Sequence, residues 1–400
     1  MEKAFKYRMY PNREQRILLT KTFGCTRFVY NHYLAKRKDA YEKDGITLSY
    51  SACAKDLVSL KKEYEWLKEV DSVALQSSVK NLDTAYINFF RKKAEYPRFK
   101  SKKTHRYSYT TKYTNGNIEL YENKVKLPKI GLVKTKKTRV PKGGLLSATV
   151  SQVPSGKYYV SLCYTDVEEV LFPLTYNETG IDLGIKDFIV LSNGEKVENP
   201  KYLKKSIEKL KKLQKQQSRK TKGGRNWIKN RIKIARLHEK IANQRMDFIN
   251  KLSTRIIREY DIICIEDLKV ENMLKNHNLA QSISDVSWSK FTTQLEYKAE
   301  WYGKVIKKVD TFYASSQICH CCGYKNEGTK DLKVREYFER EKHPVEKYLI
   351  QRAEKATIVV PEVGKNNLNN LGGNLLDREI KSVSLDSINE CDEATITIRI

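Results

Sequence analysis

The chain has 400 residues, 76 of them Lys or Arg against 48 Asp or Glu, so it carries a formal charge of +28, with 25 tyrosines interleaved among the bases. An excess of that size is the electrostatic footprint of a partner dense in phosphates, which points to nucleic acid. No apolar run approaches the roughly 20 residues of a membrane span, and MEKAFKYRMY lacks the apolar core of a signal peptide, which excludes a membrane protein and gives a cytoplasmic, nucleoid-associated location as the expectation.

Length favours two or three domains. KAFKYRMYP alternates as a strand ended by Pro11. From Asn12 the period becomes helical, with Ile17, Phe23, Phe28, Val29 and Leu34 on an apolar face beneath a basic one. A further amphipathic helix covers 71–93, N-capped by Asp71 or Ser72. AEYPRFKSKKTHRYSYTTKY then mixes bases and aromatics on an extended stretch, a mixture that suits phosphate contacts with base stacking and equally suits strand packing by the tyrosines. Alternation broken by Asn-Gly, Pro and Ser-Gly over 107–170 reads as hairpins of a small antiparallel barrel, which the first strand joins. At 178 the texture becomes α/β. Two short apolar strands surround a turn, a very basic helical pair follows over 201–257 with an interruption at 221–226, YDIICIEDLKVENM is a buried strand, and SWSKFTTQLEYKAEWYGKVIKKV is one helix leading into a cysteine segment. That order implies a mixed or parallel sheet.

The cations set against phosphate are Arg27, with Tyr30 beside it, on the first helix; Arg98, Lys100, Lys102 and Lys103 on the extended stretch; and Arg219, Lys220, Lys222, Arg225, Lys229 and Arg231 around the interruption of the helical pair. Two acids stand out against them. Asp182 lies inside the apolar strand Gly180–Gly184 and Glu266 ends Ile262–Ile265, and a carboxylate inside a strand is costly to bury unless paired or metal-bound. Strand-borne acids far apart in a basic chain suggest carboxylates that bridge magnesium ions at a phosphodiester. Of the eight cysteines, Cys25, Cys53, Cys163 and Cys264 read as buried small residues, while Cys319 and Cys322, around a glycine-closed turn, have the spacing of half a tetrahedral zinc site. Beyond Cys322 only His343 and Cys391 could add a ligand of those types.

GIDLGIKDF, IICIEDLKVENM and SSQICHCCGYKN, in that order after a basic N-terminal half, resemble the TnpB proteins of bacterial insertion sequences, compact relatives of the type V CRISPR effector nucleases. The resemblance runs from about Lys3 to Arg335. It implies an α/β multidomain, bilobed protein: a wedge β-barrel (1–11 and 105–177), a helical recognition insertion (12–104), a RuvC-like, ribonuclease-H-type domain (178–310), a zinc ribbon (311–336) and a C-terminal tail (337–400). It also implies a guide RNA from the transposon end as cofactor, and target double-stranded DNA read beside a short adjacent motif. Base pairing would carry the sequence and the protein the backbone contacts.

The chain departs from that pattern after DLKVRE (331–336). The second Cys-x-x-Cys and the Asp-Arg-Asp motif that supplies the third acid are both missing, and LLDREIKS, with Asp377, comes some forty residues late. Two cysteines do not close a zinc shell unless His320 or Cys321 joins, and Asp182 with Glu266 alone would hold a magnesium pair poorly. The expectation is therefore a guided DNA-binding protein without cleavage, resembling the nuclease-dead TnpB-like repressors. The alternatives are an active endonuclease in which Glu354, Glu362 or Asp377 supplies the third acid, and a decayed transposon remnant.

Overall fold

A computed structural model describes residues 1–309 except 105–106, 137–140, 169, 274 and 276–279, together with 336–337 and 396–397. The chain divides into two compact units, one of 1–179, 199–263 and 270–306, the other of 180–198, 264–269 and the described residues from 307 onward.

The first unit opens with strand β1 (Lys3–Tyr10), helices α1 (Arg13–Asp44), α2 (Tyr50–Glu63) and α3 (Ser72–Phe90), and strands β2 (Tyr107–Lys112), β3 (Glu119–Leu120), β4 (Lys124–Leu127), β5 (Gly131–Lys136), β6 (Gly144–Gln152) and β7 (Tyr158–Thr165). Pro11 stops β1, and Asn12 starts α1 through a reciprocal cap: its side chain accepts the Gln15 N–H at 2.8 Å, while the Gln15 side chain accepts the Asn12 N–H at 3.0 Å. The seven strands pair antiparallel in the order β2-β6-β7-β1-β5-β4-β3, with β2 and β3 as edges. Alternation does the sorting. Tyr7, Met9, Val133, Val150, Val160 and Leu162 face a core to which α1 adds Leu19 and Phe23 and α3 adds Ala74. A second core joins Val29, Tyr33 and Leu34 of α1 to Leu57 of α2 and Leu75, Val79 and Leu82 of α3.

Two local readings meet corrections, and of the two caps offered for α3 the structure selects one. Ile17, assigned to the apolar face of α1, is 52% exposed, because the face that packs on the sheet runs through Leu19 and Phe23. The N-cap of α3 is Asp71, which accepts the Val73 N–H at 3.0 Å and is buried because its other oxygen takes the Thr111 hydroxyl from β2. The helix expected over 287–309 is two elements, as described below.

The rest of the described chain runs β8 (Glu178–Leu183), β9 (Asp187–Leu191), β10 (Lys196–Glu198), α4 (Tyr202–Ser218), α5 (Arg225–Glu259), β11 (Ile262–Glu266), α6 (Val270–Met273), α7 (Ala280–Val286), α8 (Trp288–Tyr302) and β12 (Val305–Val309). Gly303, at φ 71°, ends α8 in the left-handed region, which glycine enters without penalty, and Val305–Val309 continue as a strand. Strands order as β10-β9-β8-β11-β12, with β8–β9 and β9–β10 antiparallel. The N–H of Asp261 donates to the Asn177 carbonyl at the beginning of β8 and β11, and that of Val305 to the Asp261 carbonyl at the beginning of β11 and β12. Since the Asp267 N–H reaches the Val309 carbonyl at the far end, β12 runs parallel to β11, and the sheet is mixed.

The segment before β8 is strapped down within the first unit. Asp261 accepts the N–H groups of Thr175 (2.8 Å) and Tyr176 (2.6 Å) and pairs with the fully buried Lys304 ammonium, which also donates to the Pro173 carbonyl at 2.8 Å. Burial works against the Asp261 charge, but Lys304 and the two amides outweigh it and hold the carboxyl below its usual range.

Candidate nucleic-acid interface and carboxylate pair

Asp182 and Glu266 come from neighbouring strands of the five-stranded sheet. Ile181 and Leu183 point into the core on either side of Asp182, as Ile265 does before Glu266, so strand alternation turns both carboxylates to the opposite face. The Asp182 side chain reaches solvent, yet the protein around it strips part of its hydration and Glu266 adds a like charge. Both raise its pKa above the ordinary aspartate value, against the opposing pull of the Leu183 backbone N–H. Two mutually repelling carboxylates side by side are the donor chemistry of a hard divalent cation, which would relieve the repulsion. Among the described residues no group of three or more His, Cys, Asp or Glu side chains gathers to hold a metal ion; the pair offers part of a cation's shell. Cys319 and Cys322 lie outside the described residues, as do Glu354, Glu362 and Asp377.

The expected nucleic-acid contacts separate into groups. Arg27 of α1, Lys102 of the turn before β2, and Arg231 of α5 converge on one groove of about 700 Å³, walled also by Thr20, Phe23, Gly24, Tyr107, Gln152, Val153, Pro154, Gly156 and Ile232, with no carboxylate among the described residues that line it. Arg231 lies over the Trp227 ring at 5.4 Å, which fixes the direction of its guanidinium. Three cations brought from three elements form a site suited to a phosphate backbone, and Phe23 and Tyr107 add apolar surface beside it.

Tyr30 is different. It is 5% exposed, and the Lys100 ammonium sits 3.8 Å above its ring, so the ring is spoken for internally and does not offer a face for base stacking. Burial lowers the Lys100 pKa. The backbone of Lys100 is clamped by Asn31, whose side chain accepts its N–H at 2.8 Å and donates to its carbonyl at 2.9 Å. Arg98 is exposed and paired with Glu95; Lys103 is exposed beside Lys102. Arg219, Lys222, Arg225 and Lys229 are exposed on the α4–α5 connection and the start of α5, and Lys220 donates to the Gln216 carbonyl at 3.3 Å; none of these lines the groove.

A further basic surface escaped the sequence reading. On the outward face of the seven-stranded sheet, Lys124 of β4 stands opposite Lys134 of β5, and Lys136 of β5 opposite Arg8 of β1. Like charges directly opposite on paired strands are destabilising, so a face that keeps two such pairs is suited to an anionic neighbour. Beside it, Tyr159 of β7 carries Lys6 at 4.6 Å and Arg8 at 5.2 Å over its ring and donates its hydroxyl to Glu239 of α5 at 2.8 Å, while Lys157 pairs with Glu239 at 2.9 Å. Single-strand periodicity marks which residues face outward. Only the register shows which of them meet.

Comparison with known proteins places this geometry. The family model described as "Probable transposase" (OrfB_IS605) matches residues 162–277, its helix-turn-helix domain matches 1–45, and a Cas12f1-like TNB domain matches 288–352. A Streptomyces pristinaespiralis protein named "Putative RNA-guided DNA endonuclease" is 40% identical over 344 residues, covering 84% of each chain, and the Escherichia coli K12 protein InsQ, of the same printed description, is 35% identical over 342 residues, covering 80% of this chain and 83% of its own. The chain belongs to the TnpB family. A TnpB-like protein of Acanthamoeba polyphaga mimivirus, L79, is 28% identical over 185 residues. A solved Cas12f1–sgRNA–target DNA complex shares the fold, with a TM-score of 0.54 at 12% identity over 85% of this chain and 96% of that one. Two of these matches are set against the described elements and the sequence reading. Residues 1–45, matched by the model described as helix-turn-helix, form in this TnpB-family chain one strand and one unbroken helix of 32 residues. The TNB match extends through 337–352, which the sequence reading assigns to the tail.

Proposed function

We propose that this chain is an RNA-guided, sequence-specific DNA-binding protein that occupies its target without cutting it and so represses transcription. The observation that carries the reading is a carboxylate pair without the motif that would complete it. Asp182 and Glu266 stand together as the remnant of a metal centre, and the sequence beyond Glu336 lacks the motif that would bring a third acid. The five-stranded mixed sheet that bears them supports a RuvC-like domain over 178–310; the seven-stranded sheet supports a wedge domain of 1–11 and 105–177, with 12–104 as the helical insertion. Asp182 and Glu266 would hold a divalent cation, which when bound supplies water activation and stabilisation of a leaving oxygen. The cation groove of Arg27, Lys102 and Arg231 suits the backbone of a guide RNA, and the printed names of the two relatives support RNA guidance and DNA as the target. Guide pairing would carry the sequence, with the protein reading only a short motif beside it.

A second reading, an active endonuclease, is favoured by the retention of both acids and by those same names. One comparison separates the two: wild type against Asp182→Ala, each with its copurified guide RNA, on a matched plasmid with magnesium and on a reporter whose promoter matches the guide. Binding and silencing by both proteins without cutting is the expected result. Guide-dependent nicking or double-strand cleavage by wild type, lost in the variant, would establish the nuclease. Cysteine zinc is tested alongside, with less than one equivalent per chain expected by elemental analysis, since only Cys319 and Cys322 have ligand spacing.

A further inference from the structure

The end of α3 and the strip that follows it display aromatic rings to solvent. Phe90 is 71% exposed, Phe99 57% and Tyr96 42%. Isolated exposed rings are ordinary, but two of these are held in place by their neighbours. Tyr96 is anchored by a hydroxyl–hydroxyl contact of 3.1 Å with Tyr86 and by an edge-on contact of 5.3 Å with Phe89, and Phe90 stacks on Tyr86 at 6.3 Å and 23°. At the other end the Asn31 clamp fixes Lys100. Between the two anchors Pro97 is buried, and Arg98 and Phe99 project outward instead of folding onto the core. Arg91, Lys92 and Lys93, all exposed, lie in the chain between Phe90 and Tyr96, and Arg98 lies between Tyr96 and Phe99, paired with Glu95, the single acid of the stretch.

We propose that Phe90, Tyr96 and Phe99 form a stacking platform for the unpaired bases of a single nucleic-acid strand. An apolar surface rimmed by cations and held open by anchors at both ends matches a ligand that offers flat faces and negative charge together. A duplex hides its base faces and offers only edges and phosphates, so it would use the cations and leave the rings idle. The inference rests on the guided-binding reading for the origin of the strand: pairing a guide to one strand of a duplex releases the other.

The test uses the full chain with its copurified RNA. Fluorescence anisotropy is measured with a short thymidine oligonucleotide, an abasic deoxyribose-phosphate chain of equal length and charge, and a hairpin duplex. Wild type is expected to hold the thymidine oligonucleotide about ten-fold more tightly than the abasic chain. Phe90→Ala with Phe99→Ala should erase that preference and leave abasic binding unchanged, and the Phe90→Leu, Phe99→Leu pair, which keeps apolar bulk and guards against a folding artefact, should erase it as well. Equal binding of both probes by wild type, or an unchanged preference in the variants, overturns the platform. So does a loss that falls on the duplex, or a wild-type dimer that the variants convert to monomer. Guided binding to a matched duplex is scored in the same preparations. If it is absent in wild type while the base-dependent preference is present, the guided reading fails and the platform stands.

Discussion

Burial first, and Glu266 on the next strand second, raise the proton affinity of Asp182, so two acids of like charge share the face of the five-stranded sheet. Such a pair opposes folding and persists where an external cation or a retained ancestry accounts for it. A carboxyl whose folded pKa lies above its unfolded value favours the fold only below the unfolded value and works against it as pH rises through the folded one. Asp182→Asn should therefore raise the melting temperature at neutral pH, with the gain shrinking to nothing as the pH falls below about 4. A gain that is constant across that range would mean that the repulsion is not its source.

Lys298 presents the opposite sign. Its ammonium is buried between α5 and α8, where it donates to the Asn250 carbonyl (2.9 Å), Ser253 (2.7 Å) and Thr254 (2.8 Å), and no carboxylate pairs with it among the described residues. Burial pulls its pKa down to about 8. Stability is then greatest above the ordinary lysine range and is lost as pH falls toward 8, below which it is level. Lys298→Met should stabilise the protein at pH 7 by on the order of 2 kcal/mol, and the advantage should narrow when unfolding is followed from pH 8 to 10. An advantage that grows over that interval would contradict the burial account.

How much of this could be read from the sequence depends on how local the cause is. The cap at Asn12 and Gln15, the stop at Pro11 and the alternation of β1 and β7 are written in adjacent residues, and so are the two acid-bearing strands. The break after α8 is legible too, in Gly303, but Val305–Val309 beyond it has no period of its own and reads as a continuation of the helix. The burial of Tyr30 under Lys100 is not legible in sequence, because a tyrosine beside cations has the same composition whether the cation lies over its ring internally or a base does. The groove of Arg27, Lys102 and Arg231, the opposed pairs Lys124–Lys134 and Arg8–Lys136, and the Asp261–Lys304 clasp are long-range, and no window of sequence brings their members together.

That clasp permits a double-mutant test. Removing one member of a buried ion pair leaves the other charge uncompensated, at a cost of about 3–5 kcal/mol. Asp261→Ala strands the Lys304 ammonium beside the Pro173 carbonyl and frees the N–H groups of Thr175 and Tyr176. Adding Lys304→Met removes the stranded charge, so the double variant should be more stable than Asp261→Ala alone by chemical denaturation. Additive losses would show that the two side chains act independently.

Gly24 links stability to binding. It lies within α1, where glycine weakens a helix by roughly 0.5–1 kcal/mol relative to alanine, and a Cβ built on it meets nothing within 4 Å. Neither packing nor backbone conformation demands a glycine there, yet the residue lines the groove that gathers Arg27, Lys102 and Arg231. A bare backbone at such a point permits a ligand to approach the helix closely. Gly24→Ala should accordingly raise the melting temperature while weakening retention of copurified RNA in salt washes, and Gly24→Leu, which projects further into the groove, should weaken it more. If Gly24→Ala stabilises the protein and RNA retention is unchanged with either side chain, the groove does not hold the nucleic-acid backbone, and the cations on the outward face of β4, β5 and β1 become the surface to mutate next.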